Sequence, residues 1–143
     1  MKPPNPNVQI FNLICLRLLS DLYESFPVPI AIAPNALGLS AVPDESDYDA
    51  SWSVMEVAVE TIGFLRQEGF LTAGAPVATG EIPDVRLTMK GLAVLGVPVS
   101  LKPNEAGEPI IEKIKKLMAK GAEKVAGETV QAIVSEVFKL ALN

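Results

Sequence analysis

The chain has 143 residues, 49% of them hydrophobic and 20% charged, with 12 basic against 17 acidic side chains, a formal charge of −5, one cysteine and no histidine. That length suffices for one domain burying its own core without disulfide or metal staples, and the composition is too apolar for global disorder. The missing histidine removes the commonest general base and metal ligand, a single cysteine leaves no intramolecular disulfide, and the negative charge opposes long-range attraction to a phosphate backbone.

Lys2 ahead of the apolar stretch from Val8 to Leu19 has the outline of a signal peptide, but Pro3, Pro4 and Pro6 break its basic region and Asn12 and Arg17 interrupt the apolar run. Residues 1–7 are therefore expected to be a disordered N-terminus, and the cytoplasm is the expected compartment. From Val8 to Phe26 the apolar positions Phe11, Ile14, Cys15, Leu18, Leu22 and Phe26 recur at helical spacing, with Gln9, Asn12, Arg17, Asp21 and Glu24 opposite. This predicts one amphipathic helix, with Cys15 a core thiol, stopped by Pro27 and Pro29. Pro29 to Ala33 has the length of a short strand. Pro34 to Gly38 reads as a helical turn ending at the glycine, and Pro43 to Asp49 as an exposed acidic loop.

A second long helix is predicted from Tyr48 or Asp49 to Glu68, with Asp49 or Ser51 as cap and Gly69 as left-handed stop. Its apolar set is wide, Trp52, Met55, Val59, Ile62 and Leu65 with Val54, Ala58 and Phe64 beside them, which predicts burial over much of its circumference. Phe70 to Thr72 and Asp84 to Thr88 read as two strands of a hairpin around a loop holding Gly74, Pro76, Gly80 and Pro83, and Thr88 as the cap of a short helix, Met89 to Leu95. Residues 97–104 read as an extended linker. The tail, 105–143, reads as a long C-terminal amphipathic helix or two joined ones, weakened at Gly121 and Gly127, serving packing or oligomerisation. No window reaches 18 apolar residues without a proline or a charge, so no transmembrane segment is expected.

Helix, short strand, helical turn, long helix, hairpin and short helix is the order of a winged helix-turn-helix. Two stretches sharpen the likeness. Phe64-Leu65-Arg66-Gln67-Glu68-Gly69-Phe70-Leu71 resembles the end of the winged-helix third helix, and Val85-Arg86-Leu87-Thr88-Met89-Lys90-Gly91-Leu92-Ala93-Val94-Leu95 resembles the strand leaving the wing and the helix after it. Together they give an expected fold that is α+β and mostly α: a winged-helix domain over 8–96 with a small two- or three-stranded antiparallel sheet, then the C-terminal helix. The tail matches in position the dimerisation helix of several bacterial winged-helix regulators. The resemblance implies DNA binding, with the third helix in the major groove.

The charges oppose that implication. From Asp44 to Glu68 there are seven acids against one base, Arg66, and the loop from Ala73 to Pro83 holds no lysine or arginine. A groove-reading helix needs Arg, Lys, Asn or Gln aimed at base edges and phosphates. Lys113, Lys115, Lys116, Lys120 and Lys124 form a basic run on the tail, either a solvated helix face or a contact for DNA, an acidic protein surface or an anionic membrane. Tyr48 and Trp52 beside the acidic loop are either partner anchors or, for Trp52, core. The loop Asp44 to Asp49 lacks the glycine and the twelfth-position glutamate of a calcium loop, and the serines have no histidine to activate them. No catalytic, cofactor or metal residue is assigned. The expected role is a non-enzymatic protein-interaction module, with Tyr48, Trp52, Glu56, Glu60 and the five lysines as candidate surface and a protein partner or self-association through the C-terminal helix. The alternative is a dimeric DNA-binding transcriptional regulator.

Overall fold

The computed structural model of the chain describes residues 6–41, 48–121 and 127–142, with side chains for 7–41, 54–121 and 127–142. Its elements are α1 (Pro6–Ser25), β1 (Ile30–Ile32), α2 (Pro34–Leu39), α3 (Tyr48–Gln67), β2 (Leu71–Thr72), β3 (Ile82–Leu87), α4 (Met89–Leu95), β4 (Pro98–Val99), β5 (Glu108–Pro109), α5 (Ile110–Lys120) and α6 (Gly127–Ala141). The fold is α+β and mostly helical. Its larger sheet is antiparallel with strand order β1-β3-β2. The expected disordered stretch 1–7 lies outside the described residues over 1–5, whereas Pro6 and Asn7 already belong to α1, where a first-turn proline forfeits no helical hydrogen bond.

Helix α1 is the axis of the core. Ile14, Cys15, Leu18 and Leu22 are buried as their spacing predicts, but Leu16, Leu19 and Asn12, on other sides of the helix, are buried as well. The cause is that α3 and β3 cover one flank of α1 while α5 and α6 cover another. One-sided amphipathicity therefore understates its burial. Full burial also pushes the Cys15 thiol far above its usual range, so it packs as an apolar group and offers no nucleophile.

Gly38 does not end α2, which runs on to Leu39. A β-carbon at Gly38 would lie 2.5 Å from Val54 Cγ1 and 2.7 Å from the Val54 carbonyl oxygen. The glycine is there to let α2 press against α3. At the other end of α3, Gly69 does take the left-handed conformation, φ 86°, and turns the chain into β2.

Strand β3 carries an irregularity in its pairing with β1. Ile30 pairs with Val85 but Ile32 with Ile82, so between these pairs one residue of β1 faces two of β3, a bulge marked by Asp84 at φ 57°. Strict alternation would put Ile82 and Val85 on opposite faces; the extra residue returns both, with Leu87, to the core. Thr88 then caps α4 as predicted. Its hydroxyl accepts from Gly91 N at 3.0 Å and donates to the Gly69 carbonyl at 2.6 Å, tying the start of α4 to the end of α3.

The C-terminal part departs furthest from expectation. Within the segment read as an extended linker, Pro98 and Val99 form β4, which pairs with β5 through Pro98–Pro109 and Val99–Glu108. Of the one long helix or two joined ones expected for the tail, the structure has two: Gly121 stands at φ 88°, outside helical geometry, and closes α5. Ile110, Ile111, Ile114 and Leu117 of α5 and Val130, Ile133, Val134 and Val137 of α6 join the same core as α1. The apolar stripe read as an oligomer contact is thus largely enclosed by its own chain.

Candidate functional site

Helix α3 presents the candidate site because only part of its circumference is covered. Val54, Ala58, Thr61, Ile62 and Leu65 face the core, but Val59 and Phe64 are 36% and 41% exposed, so the burial expected over much of its circumference stops short of these two. The reason is geometric: α2 and α1 pack on α3 from the inside, and β2 only meets its end. Glu56 and Glu60, one turn apart, are exposed on the outward side. Tyr48 and Trp52 lie on the first turns of α3, with side chains outside the described residues.

Between that outward side and the start of α1 runs an open groove of about 660 Å³. Val8, Phe11, Val57 and Phe64 supply its apolar lining, with Gly63 between them. Val8 is itself 43% exposed. Among the described residues lining the groove, Glu56 and Glu60 are the only charged ones. The buried Thr61 hydroxyl donates to the Val57 carbonyl at 2.6 Å, so it is engaged within α3.

A cluster of four phenylalanines holds the floor. Phe11 meets Phe64 edge-on at 5.6 Å between ring centroids, Phe138 of α6 stacks on Phe11 at 6.1 Å and meets Phe64 at 5.8 Å, and Phe70 meets Phe138 at 5.3 Å. Each geometry is a favourable one for aromatic quadrupoles. Helix α6 therefore backs the groove through Phe138, which supports the rings of Phe11 and Phe64 from behind. Sequence reading missed Val8 and Phe11 as groove residues and Phe138 behind them, and the only available signal was that Phe64 follows Gly63 away from the main apolar stripe of α3.

The basic run is not a free cationic face. Lys113 is buried, donates to Glu105 Oε1 and has Glu108 Oε1 at 3.7 Å. Lys116 pairs with Glu108 Oε2 at 2.8 Å. Lys115 reaches Glu24 of α1 at 2.8 Å and lies 5.2 Å from the Tyr23 ring centroid. Lys120 is exposed, and Lys124 lies outside the described residues. Two of the basic groups nearest α3 and the hairpin are likewise engaged: Arg86 donates to the Pro27 carbonyl at 3.4 Å and Lys90 to the Glu68 carbonyl at 2.8 Å.

These pairs set a pH dependence. Lys113 holds the Glu105 carboxyl below its ordinary range, and Lys116 with Lys113 does the same to Glu108. A depressed carboxylate pKa contributes stability that is present above the unfolded value, near 4.5 here, and is lost as pH falls through the folded one. Lys113→Met keeps the buried stem and removes the charge. Its urea midpoint at pH 7 is expected to lie below that of the wild type, with a smaller further fall between pH 5 and pH 3, so that the two proteins converge in acid. An equal acid-induced fall in both proteins would show that the Lys113 cluster is not its source.

Among the described residues no helix is long and apolar enough to cross a membrane. Compared with protein-family models, with curated proteins and with solved structures, the chain has no match.

Proposed function

We propose that the chain is a non-enzymatic winged-helix protein that works by protein–protein contact, with the outward side of α3 as its contact surface instead of a DNA-reading one. The order α1-β1-α2-α3-β2-β3-α4 with a β1-β3-β2 sheet supports the winged-helix reading, under which α3 corresponds to the reading helix. The observation that carries the functional part is the groove on that helix, apolar on its floor and bearing Glu56 and Glu60 and no cation among its described lining. A phosphate backbone brought there meets carboxylates with no lysine or arginine to displace its counterions. A protein surface meets exposed aliphatic and aromatic groups inside a polar rim, the usual anatomy of an interface.

Titration of the full chain into fluorescent random-sequence duplex DNA at low ionic strength tests this. Non-specific DNA binders show dissociation constants on the order of 10⁻⁴ to 10⁻⁶ M even at physiological salt. No binding in that range is expected. Binding that weakens steeply with added salt would overturn the proposal and favour the DNA-binding regulator.

A further inference from the structure

We infer that the groove between α1 and α3 takes a cationic amphipathic segment of a protein partner, and that Gly63 is kept small so that this segment can approach α3 closely; the inference rests on reading α3 as a protein-contact surface. Gly63 lies within a 20-residue helix. Apart from proline, glycine is the least favourable residue for a helix interior. Nothing among the described residues requires it. Its φ is not positive, and no heavy atom of the described residues, the helix's own backbone apart, lies within 4 Å of the position a β-carbon would take. Gly38 and Gly91 differ in kind, since backbone atoms within 2.7 Å exclude any side chain there. At Gly63 the fold leaves open space, and that space belongs to the groove.

A second unfavourable local choice sits one and two turns away. Glu56 and Glu60 are like charges at i and i+4 on an exposed helix face, an arrangement that destabilises a helix by itself. A third is Phe64, a large ring left 41% exposed beside the glycine. Departures from local consistency that cluster on one surface mark a function met outside the chain. All three become favourable under one occupant: lysine or arginine neutralises the two carboxylates, apolar side chains cover Val8, Phe11 and Phe64, and the missing side chain at Gly63 admits the backbone that carries them. Apolar anchors at helical spacing with cations on the flank describe such a segment. A polyanion or an acidic membrane does not fit this charge.

A random 16-residue peptide library displayed on phage and selected on the immobilised full chain, in parallel with selection on Gly63→Gln, tests the inference. Gly63→Gln is expected to raise the melting temperature by about 3 °C through better helix propensity. Peptides selected on the wild type are expected to be enriched in lysine or arginine with leucine or phenylalanine at i and i+4. Synthesised, they are expected to bind Gly63→Gln at least tenfold more weakly, and the double variant Glu56→Gln, Glu60→Gln at least tenfold more weakly with a flatter salt dependence. A rise in stability together with a loss of binding is a combination that a purely structural glycine does not produce. Selected peptides without cationic enrichment, or with equal affinity for Gly63→Gln, would overturn the inference. So would a wild-type dimer in light scattering that Gly63→Gln converts to a monomer, because the occupant would then be a second copy. Failure of the selection while duplex DNA also fails to bind removes the groove inference alone; duplex binding abolished by Gly63→Gln removes the protein-contact reading with it.

Discussion

Phe70→Ala is expected to lower stability by about 3 to 5 kcal/mol, the range for truncating a buried aromatic. Phe70 is 1% exposed and stands where three parts of the molecule meet. It follows Gly69 at the turn out of α3, its carbonyl accepts from Thr88 N at 3.0 Å, and its ring receives the edge contact of Phe138 from α6 at 5.3 Å. Lys90 Nζ lies 5.6 Å from the ring centroid on the solvent side. Truncation leaves a cavity that backbone on one side and a helix on the other cannot both fill. Because Phe138 also supports Phe11 and Phe64, loss of the Phe70 ring is expected to loosen the groove floor as well. Phe70→Leu, which keeps most of the volume, is expected to cost less than half as much. Urea denaturation of the two variants checks the difference, and equal midpoints would show that the ring is not what joins α6 to the α3–β2 turn.

Gly91→Ala is expected to destabilise by about 1 to 3 kcal/mol despite a gain in helix propensity of about 1 kcal/mol. A β-carbon at Gly91 would stand 2.2 Å from the Phe70 carbonyl oxygen and 3.2 Å from Leu87 Cδ2. The oxygen belongs to the backbone leading into β2, so it yields only if α4 backs away from the sheet. That movement stretches the Thr88 N to Phe70 O bond and pulls on the cap in which Gly91 N donates to the Thr88 hydroxyl. The same substitution at Gly63 meets open space and is expected to stabilise by up to about 1 kcal/mol. Two identical changes in helices of one protein thus have opposite signs. A pair of urea titrations checks it, and a neutral Gly91→Ala would mean that α4 does not rest on the Phe70 carbonyl.

Most of the framework was legible in the sequence because local chemistry enforces it. Pro27 and Pro29 end α1, Gly69 ends α3, and Thr88 starts α4, each acting through groups within a few residues of itself. The bulge in β3 and the β4–β5 ladder were not legible. The bulge follows from which side chains β1 and the core must receive together, and the ladder pairs two-residue strands that each contain a proline, a poor strand signal. Gly121 and Gly127 did carry the hint of a split tail, and the positive φ of Gly121 decided it.

The candidate surface divides in the same way. Glu56 and Glu60 are recognisable as an acidic face from their spacing alone. The lysine run looked equally clear, yet three of its members are engaged by Glu105, Glu108 and Glu24, and Glu24 lies on α1, far away in the chain. Helical periodicity records which side of a helix a residue occupies and carries no information about what another helix brings against that side.

By itself, then, the sequence determined the helices and the larger sheet's strands, the boundaries at Pro27, Gly69 and Thr88, and the sign of the charge on α3, because each depends on spacing, on proline and glycine, or on residue type. Tertiary packing decided which charges remain free, which side of α3 stays open, and that Val8 and Phe11 from the start of the chain share a groove with Phe64 above a ring from α6. Those outcomes depend on contacts between residues distant in sequence, and they are settled only when α1 is enclosed from several sides at once.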